Sequence, residues 1–205
     1  DKDYTGEIGA VGQVDGKNCN QFKSIQQALE YISSIGGIEN NRKEILLAPG
    51  NYYEKLEITI PNLTLRGITT DKSDVLIEWN SVYGVPDASG FYQERDSSQT
   101  VAVREQAINC RMENLTISNY YNSSTRCAGL KDTRALALLV QSDKFVMYNC
   151  ALLGYQDTVN FFYGRQYIYK SYICGITDFI FGTNNTTLFQ NCEIHTVGGK
   201  DNGYV

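Results

Sequence analysis

The sequence holds one histidine, His195, among 205 residues. That count excludes a His-rich metal site and makes any Ser-His-Asp hydrolase depend on a single side chain. Six cysteines (Cys19, Cys110, Cys127, Cys150, Cys174, Cys192) include no C-x-x-C pair, which argues against a zinc ribbon or a thioredoxin motif. Most of them are expected to be small buried hydrophobes. A basic surplus is also missing: eighteen Lys and Arg face twenty-three Asp and Glu, for a net charge of −5, so no nucleic-acid partner is expected. No apolar run approaches the ~18 residues of a membrane span, so no membrane partner is expected either. The opening DKDYTGEIGAVG shows no leader, and a mature secreted chain would start in the same way. Three prolines against eighteen glycines and fifteen tyrosines point to short strands and tight turns.

One segment has helical periodicity. From Phe22 to Ile35 the apolar residues Phe22, Ile25, Leu29, Ile32 and Ile35 recur at three and four, and Gly36-Gly37 stops the run. After it come short strand-like phrases such as EILLAPGNYYEKLEI, NLTLRG, ENLTISN and ALALLV.

The informative feature is a repeat near the end. KFVMYNCALLGYQDT, RQYIYKSYICGITDF and TTLFQNCEIHTVGGK align with Asn149, Lys170 and Asn191 in one column, 21 residues apart. Met147, Ile168 and Phe189 form an apolar column, as do Leu152, Ile173 and Ile194, while Gly154 matches Gly175. Similar phrases begin at Asn62 and Asn114. A helix-free repeat of this length predicts one coil of a parallel β-solenoid per repeat, with the apolar columns stacked into a continuous core. The Phe22 to Ile35 helix is expected to cap its N-terminal end, where unpaired strand edges would otherwise lie open. An antiparallel sandwich is the weaker architecture, because the one Asn-Gly is Asn202-Gly203.

The same period separates Asp157 from Asp178. On adjacent coils they would lie about one strand spacing apart, ~4.8 Å. Two carboxylates so close do not both ionise cheaply, which supplies one ionised nucleophile or base and one protonated acid. Gly199 falls at the equivalent place in the third repeat and leaves room beside the pair. Stacked polar residues on a solenoid can equally be solvated surface, so the neighbours decide. Gln156 offers an amide donor to a developing oxyanion. Tyr155, Phe161, Phe162, Tyr163, Phe179 and Phe181 are expected to crowd the same face, suiting an extended carbohydrate.

GYQDT (154–158), GRQY (164–167), GITDFIFG (175–182) and GNYYE (50–54) closely resemble the signature motifs of the pectin methylesterases. The resemblance runs from about Phe22 to the last residue and implies an all-β, right-handed parallel β-helix, with residues 1–205 forming a single domain. It implies hydrolysis of the C6 methyl esters of galacturonate, with Asp178 as nucleophile, Asp157 as acid and then base, and Gln156 in the oxyanion hole. Arg134, Tyr155 and Phe181 are the expected substrate contacts. No cofactor or metal is implied; the expected partner is methylated pectin, and the expected state a secreted, extracellular monomer. Five Asn-x-Ser/Thr matches, at Asn62, Asn114, Asn122, Asn184 and Asn185, are a weak hint of secretion.

Three departures from the family pattern stand out. Arg134 opens RALAL where the family has a second oxyanion-hole glutamine, and its fixed charge is expected to favour the ionised form of nearby carboxylates, Asp157 included. Asn160 stands where GYQDTLY ends in an aromatic, with Phe161 or Phe162 as the expected substitute. The family's Arg-x-Trp segment is absent, so the domain is expected to lack its C-terminal part and these 205 residues alone to be nearly inactive. A catalytically weak pectin-binding homologue and a calcium-dependent β-helix lyase are the alternatives. Cys150 and Cys192, two coils or about 9–10 Å apart, are expected not to pair. Cys110 and Cys127, flanking one loop, are the expected pair. Trp79 is expected as a rim aromatic and His195 as an edge residue.

Overall fold

Helix α1 (Ile25–Ile35) begins at its N-cap Ser24 in the computed structural model, which describes residues 11–14, 17–36, 41–84, 98–121 and 132–197. The Ser24 hydroxyl accepts from the Gln27 N–H at 3.1 Å, and Gln27 Oε1 accepts from the Lys23 N–H at 3.2 Å, close to a capping box. The first-turn N–H groups of Ile25 and Gln26 donate to the two oxygens of Glu54 at 3.0 and 2.9 Å. The glutamate of GNYYE therefore caps a helix, and this sets the start at Ile25 rather than at Phe22. Phe22 lies before the cap and packs on the core, its ring centroid 5.2 Å from that of Tyr31. Gly36, at φ 62°, ends the helix. Ile25, Ala28, Leu29 and Ile32 bury their face in the same core cluster as the first coil.

A two-stranded antiparallel hairpin, β1 (Val11–Val14) with β2 (Lys17–Asn20), precedes the helix. Asp15-Gly16 falls between them in the sequence, a hairpin signal as good as Asn-Gly. Searching for Asn-Gly alone misses it.

Beyond α1 the chain winds through three strands per turn. The first coil is β3 (Lys43–Leu47), β4 (Gly50–Tyr53) and β5 (Leu56–Ile58); the second is β6 (Leu63–Gly67), β7 (Val75–Trp79) and β8 (Gln99–Val103). The third is β9 (Arg111–Glu113), β10 (Thr116–Asn119) and β11 (Leu136–Val140); the fourth is β12 (Phe145–Tyr148), β13 (Ala151–Leu153) and β14 (Val159–Phe161). The fifth is β15 (Gly164–Tyr169), β16 (Tyr172–Gly175) and β17 (Ile180–Gly182), and β18 (Asn185–Gln190) with β19 (Glu193–Thr196) follow. Equivalent strands stack into three parallel sheets, ordered β3-β6-β9-β12-β15-β18, β4-β7-β10-β13-β16-β19 and β5-β8-β11-β14-β17. This is the parallel β-helix that the repeat predicts. Met147 lies opposite Ile168 and Ile168 opposite Phe189, while Leu152, Ile173 and Ile194 pair likewise.

Asn114, Asn149, Lys170 and Asn191 turn the corner between the first two sheets with φ of 54°, 50°, 51° and 53°. Asn tolerates this left-handed region better than most residues. Asn149 also donates its Nδ2 to Asn114 Oδ1 at 2.9 Å. Asn62 belongs to a different corner, where it accepts from Asn109 Nδ2 at 2.7 Å. The near-identical phrases NLTL and NLTI thus enter different sheets.

The cysteines correct one expectation. Cys110 is a free, fully buried thiol, so it is not half of a Cys110–Cys127 bridge. It lies in the core cluster, and burial pushes its pKa up to about 12, as it does for Cys150. Cys150 and Cys192 are both free, as the two-coil separation predicts. Cys127, Asn122, Gly199 and the first seven residues of the 91–100 loop lie outside the described residues.

Candidate active site

Two tight corners carry GYQDT and GITDF. A Cβ on Gly154 would meet Thr158 Oγ1 at 2.2 Å, and one on Gly175 would meet Phe179 Cβ at 2.2 Å. Glycine lets the following side chain fold back over the turn. The Thr158 hydroxyl then donates to the Cys174 carbonyl at 2.8 Å and ties the two corners together. Just past the glycines, Asp157 and Asp178 adopt left-handed φ of 60° and 48°.

Register brings the pair together. Gln156 bridges Thr177, the Asp157 N–H donates to the Thr177 carbonyl at 3.0 Å, and Val159 lies opposite Ile180. The offset is the same on both sides of the aspartates, so Asp157 stands opposite Asp178 on adjacent coils, with backbones ~4.8 Å apart. Their surroundings differ. Asp157 is 1% exposed, whereas Asp178 is open to solvent.

Gln156 is half-buried, and its Oε1 accepts from the Thr133 hydroxyl at 2.6 Å. The oxygen is thereby occupied and the amide N–H₂ is left as the group on offer. Arg134 bridges Gln156 in the parallel ladder, one coil earlier. Between Arg134 and Leu138 the chain carries one residue more than its neighbour, because the N–H groups of Ala137 and Leu138 both donate to the Thr158 carbonyl, at 2.8 and 3.2 Å.

The Arg134 guanidinium does not pair with Asp157. Its Nε donates to both Asp132 oxygens at 2.9 and 3.0 Å, its Nη2 also bonds Asp132, and its Cζ lies 3.8 Å from the Tyr83 ring centroid. The hydrogen bonds to Asp132 hold its pKa above the ordinary arginine value. The expected effect of Arg134 on a carboxylate is therefore exerted first on Asp132. Asp132, Thr133 and Tyr83 were not among the sequence candidates. Asp132 and Thr133 adjoin Arg134 in the chain and could have been suspected, but no pattern links Tyr83 to it.

Phe181 on β17 is half-buried on the outer face of its sheet, packed against Ala102, Leu136 and Leu139. Asn160 lies beside it in register, 5% exposed, with Oδ1 unpartnered. Tyr155 is half-buried at the corner, and its carbonyl accepts from the Ile176 N–H at 2.7 Å. Phe161 and Phe179 are a correction: they are 2% and 0% exposed in the core, because side chains alternate along a strand and Asn160 takes the outward place. Phe161 therefore cannot replace an aromatic at position 160. Phe162 and Tyr163 are exposed at the far end of that strand. His195, opposite Cys174 in the ladder, has a half-exposed ring. Trp79 stacks at a tilt on Tyr53 with centroids 4.7 Å apart. Among the described residues no three His, Cys, Asp or Glu side chains cluster as metal ligands.

A family model described as pectinesterase matches residues 10–203. The chain is 35% identical over 185 residues to a probable pectinesterase A of Neosartorya fischeri, covering 88% of this chain and 51% of that protein. It resembles the solved pectin methylesterase of Yersinia enterocolitica, with 33% identity, a TM-score of 0.71 and coverage of 85% of this chain and 55% of the other. It also resembles a pectin methylesterase solved in complex with a hexasaccharide, with 30% identity, a TM-score of 0.70 and coverage of 84% and 51%. The chain spans about half the length of the curated relatives it matches.

Proposed function

Because the chain belongs to the pectinesterase family, we propose that it hydrolyses C6 methyl esters of galacturonate in pectin, releasing methanol and leaving pectate. The observation that carries this reading is Asp157 in register with Asp178, beside the amide of Gln156. Asp178, the solvent-open member, attacks the ester carbonyl carbon. The oxyanion of the tetrahedral intermediate accepts from the Gln156 Nε2 protons, which Thr133 leaves available. Collapse breaks the C–O bond to the methoxy group, and Asp157 gives its proton to form methanol. Asp157 suits the acid role by its place, buried in register with Asp178. The acyl-aspartate left behind is hydrolysed by a water that returns its proton to Asp157, which regenerates both carboxyl groups.

Phe181 offers a sugar-stacking surface, and Asn160 Oδ1 is a buried acceptor for a sugar hydroxyl beside it. Tyr155 adds an aromatic at the same corner. The relative bound to a hexasaccharide supports an oligosaccharide as the occupant. The proposal also takes residues 1–205 as a single-domain, monomeric unit acting outside the cell, where a polymer of this size is met. One core cluster reaching from Ile25 to Phe179 supports the single domain. No helix among the described residues is long and apolar enough to cross a membrane.

Arg134 at a position next to Gln156 favours one other reading, a protein that holds pectin without turning it over. The test is methanol release from methylated pectin, measured together with chain length. Methanol without chain cleavage is the expected result, at low turnover from these 205 residues alone. Binding without methanol would support the second reading, and unsaturated ends formed only with calcium would overturn both in favour of a lyase.

A further inference from the structure

Three aromatics close three successive coils at one corner. Tyr53 ends β4, Trp79 ends β7, and Tyr120 directly follows β10. Tyr53 lies opposite Glu78 and Trp79 opposite Asn119, so each aromatic stands one coil up and one residue on from the last. A coil spacing of ~4.8 Å and a residue rise of ~3.3 Å put successive positions about 6 Å apart, close to the length of one pyranose unit. The Tyr53 and Trp79 rings meet at 4.7 Å, and Tyr120 meets Tyr121 edge to face at 5.3 Å. Tyr53 and Tyr120 are nevertheless 54% and 41% exposed, so their rings do more than cover strand ends.

The base under these rings is fixed. Asn119 Nδ2 donates to the carbonyls of Ser81, Ser98 and Leu136 at 2.7, 3.0 and 3.0 Å, and its Oδ1 accepts from the Tyr121 N–H at 3.2 Å. Rigid aromatic faces lose little freedom when a ligand settles on them.

The polar groups beside the rings select the ligand. Glu78 stands between Tyr53 and Ser118 in the ladder, and its Oε1 accepts from the Ser118 hydroxyl at 3.3 Å. Burial, then Glu78, Tyr120 and Tyr121 nearby, raise the Tyr53 pKa, so its phenol keeps the proton it can donate. A carboxylate accepts from sugar hydroxyls while the C–H face of the sugar stacks on a ring. The same carboxylate repels a polyuronate, in a chain already at net charge −5. Phe181 marks the outer face of the third sheet, whereas these rings stand on the second.

We propose that Tyr53, Trp79 and Tyr120, with Glu78 among them, form a second carbohydrate site that takes a neutral, extended β-linked hexopyranose chain. It is separate from the aspartate pair and does not rest on the esterase reading. Its role is to tether the protein to neutral polysaccharide.

Trp79 is the one tryptophan of the sequence, so tryptophan emission reports on this site. The experiment is a fluorescence titration of cellohexaose and of hexagalacturonate into the protein. Cellohexaose is expected to change the emission saturably and to bind about tenfold more tightly than hexagalacturonate. Tyr53→Ala and Tyr120→Ala, which keep the reporter, are each expected to weaken cellohexaose about tenfold. Glu78→Gln, which removes the charge and keeps an acceptor, is expected to bring hexagalacturonate within about threefold of cellohexaose. No saturable change with cellohexaose, or equal binding of the two oligomers by the wild type, overturns the proposal without any variant having to fold. Unchanged affinity in both tyrosine variants overturns it as well. Methanol release from methylated pectin, assayed on the same samples, is expected to be the same in the tyrosine variants as in the wild type. Its loss in those variants alone, with their melting temperatures kept, would make the rings part of the cleft and overturn a separate site. Its absence from every sample would overturn the esterase reading and leave this site standing.

Discussion

Asp157 and Asp178 occupy the same place in the repeat and the same left-handed backbone region, yet one is buried and the other open. Asp157 lies between the coils that contribute Arg134 and Thr177, and the ladder closes over it from both sides. Asp178 is exposed, on the last coil of that sheet among the described residues. Two chemically identical groups thus meet different surroundings, and a nucleophile and an acid need that difference. Asp178→Asn is expected to abolish methanol release, because an amide is a poor nucleophile. Asp157→Asn should lower kcat by about 10²–10⁴ while leaving pectin binding in place. Initial rates of methanol release, with melting temperatures as a fold control, decide both; more than a tenth of wild-type turnover in Asp178→Asn would end its assignment. These residues were legible in the sequence because a 21-residue period turns chain offset into adjacency. Tyr83 was not, since it reaches Arg134 through a loop that obeys no period.

Elements here are fixed as much by their ends as by their apolar pattern. The periodicity of α1 extends to Phe22, but the helix begins where Ser24 and Glu54 satisfy its orphan donors. Glu54 arrives from the end of the first coil's second strand, so one carboxylate joins helix to solenoid across 28 and 29 residues. GNYYE resembles a family signature motif, and its glutamate carries this structural duty. Glu54→Gln removes the charge and weakens one of two bonds at a site where the helix dipole favours an anion. The expected loss is about 1 kcal/mol, seen as a lower urea midpoint with unchanged slope. An unchanged midpoint would show that Ser24 alone caps the helix. Strand alternation explains the misplaced aromatics in the same terms. Val159 and Phe161 face the core, so Asn160 must face out, and composition could not have said which of three neighbouring residues does so.

Among the described residues each solenoid strand pairs only with the equivalent strands of the coils before and after it, so stability is largely a sum of nearest-neighbour terms. Burial follows that rule. β8 and β11 of the second and third coils are buried at every position, while Leu188 on β18 and Ile194 on β19 are 59% and 46% exposed. Ile194 belongs to the inward column of Leu152 and Ile173, both fully buried, and it is exposed on the edge strand of its sheet among the described residues. Local opening should therefore cost least at β18 and β19 and most near β8 and β11. Native-state hydrogen exchange followed by mass spectrometry is expected to show protection rising from β19 through β16 and β13 to β10, strand by strand along one sheet. Uniform protection across the four strands would mean that the solenoid opens as one unit, and the nearest-neighbour account would then be wrong.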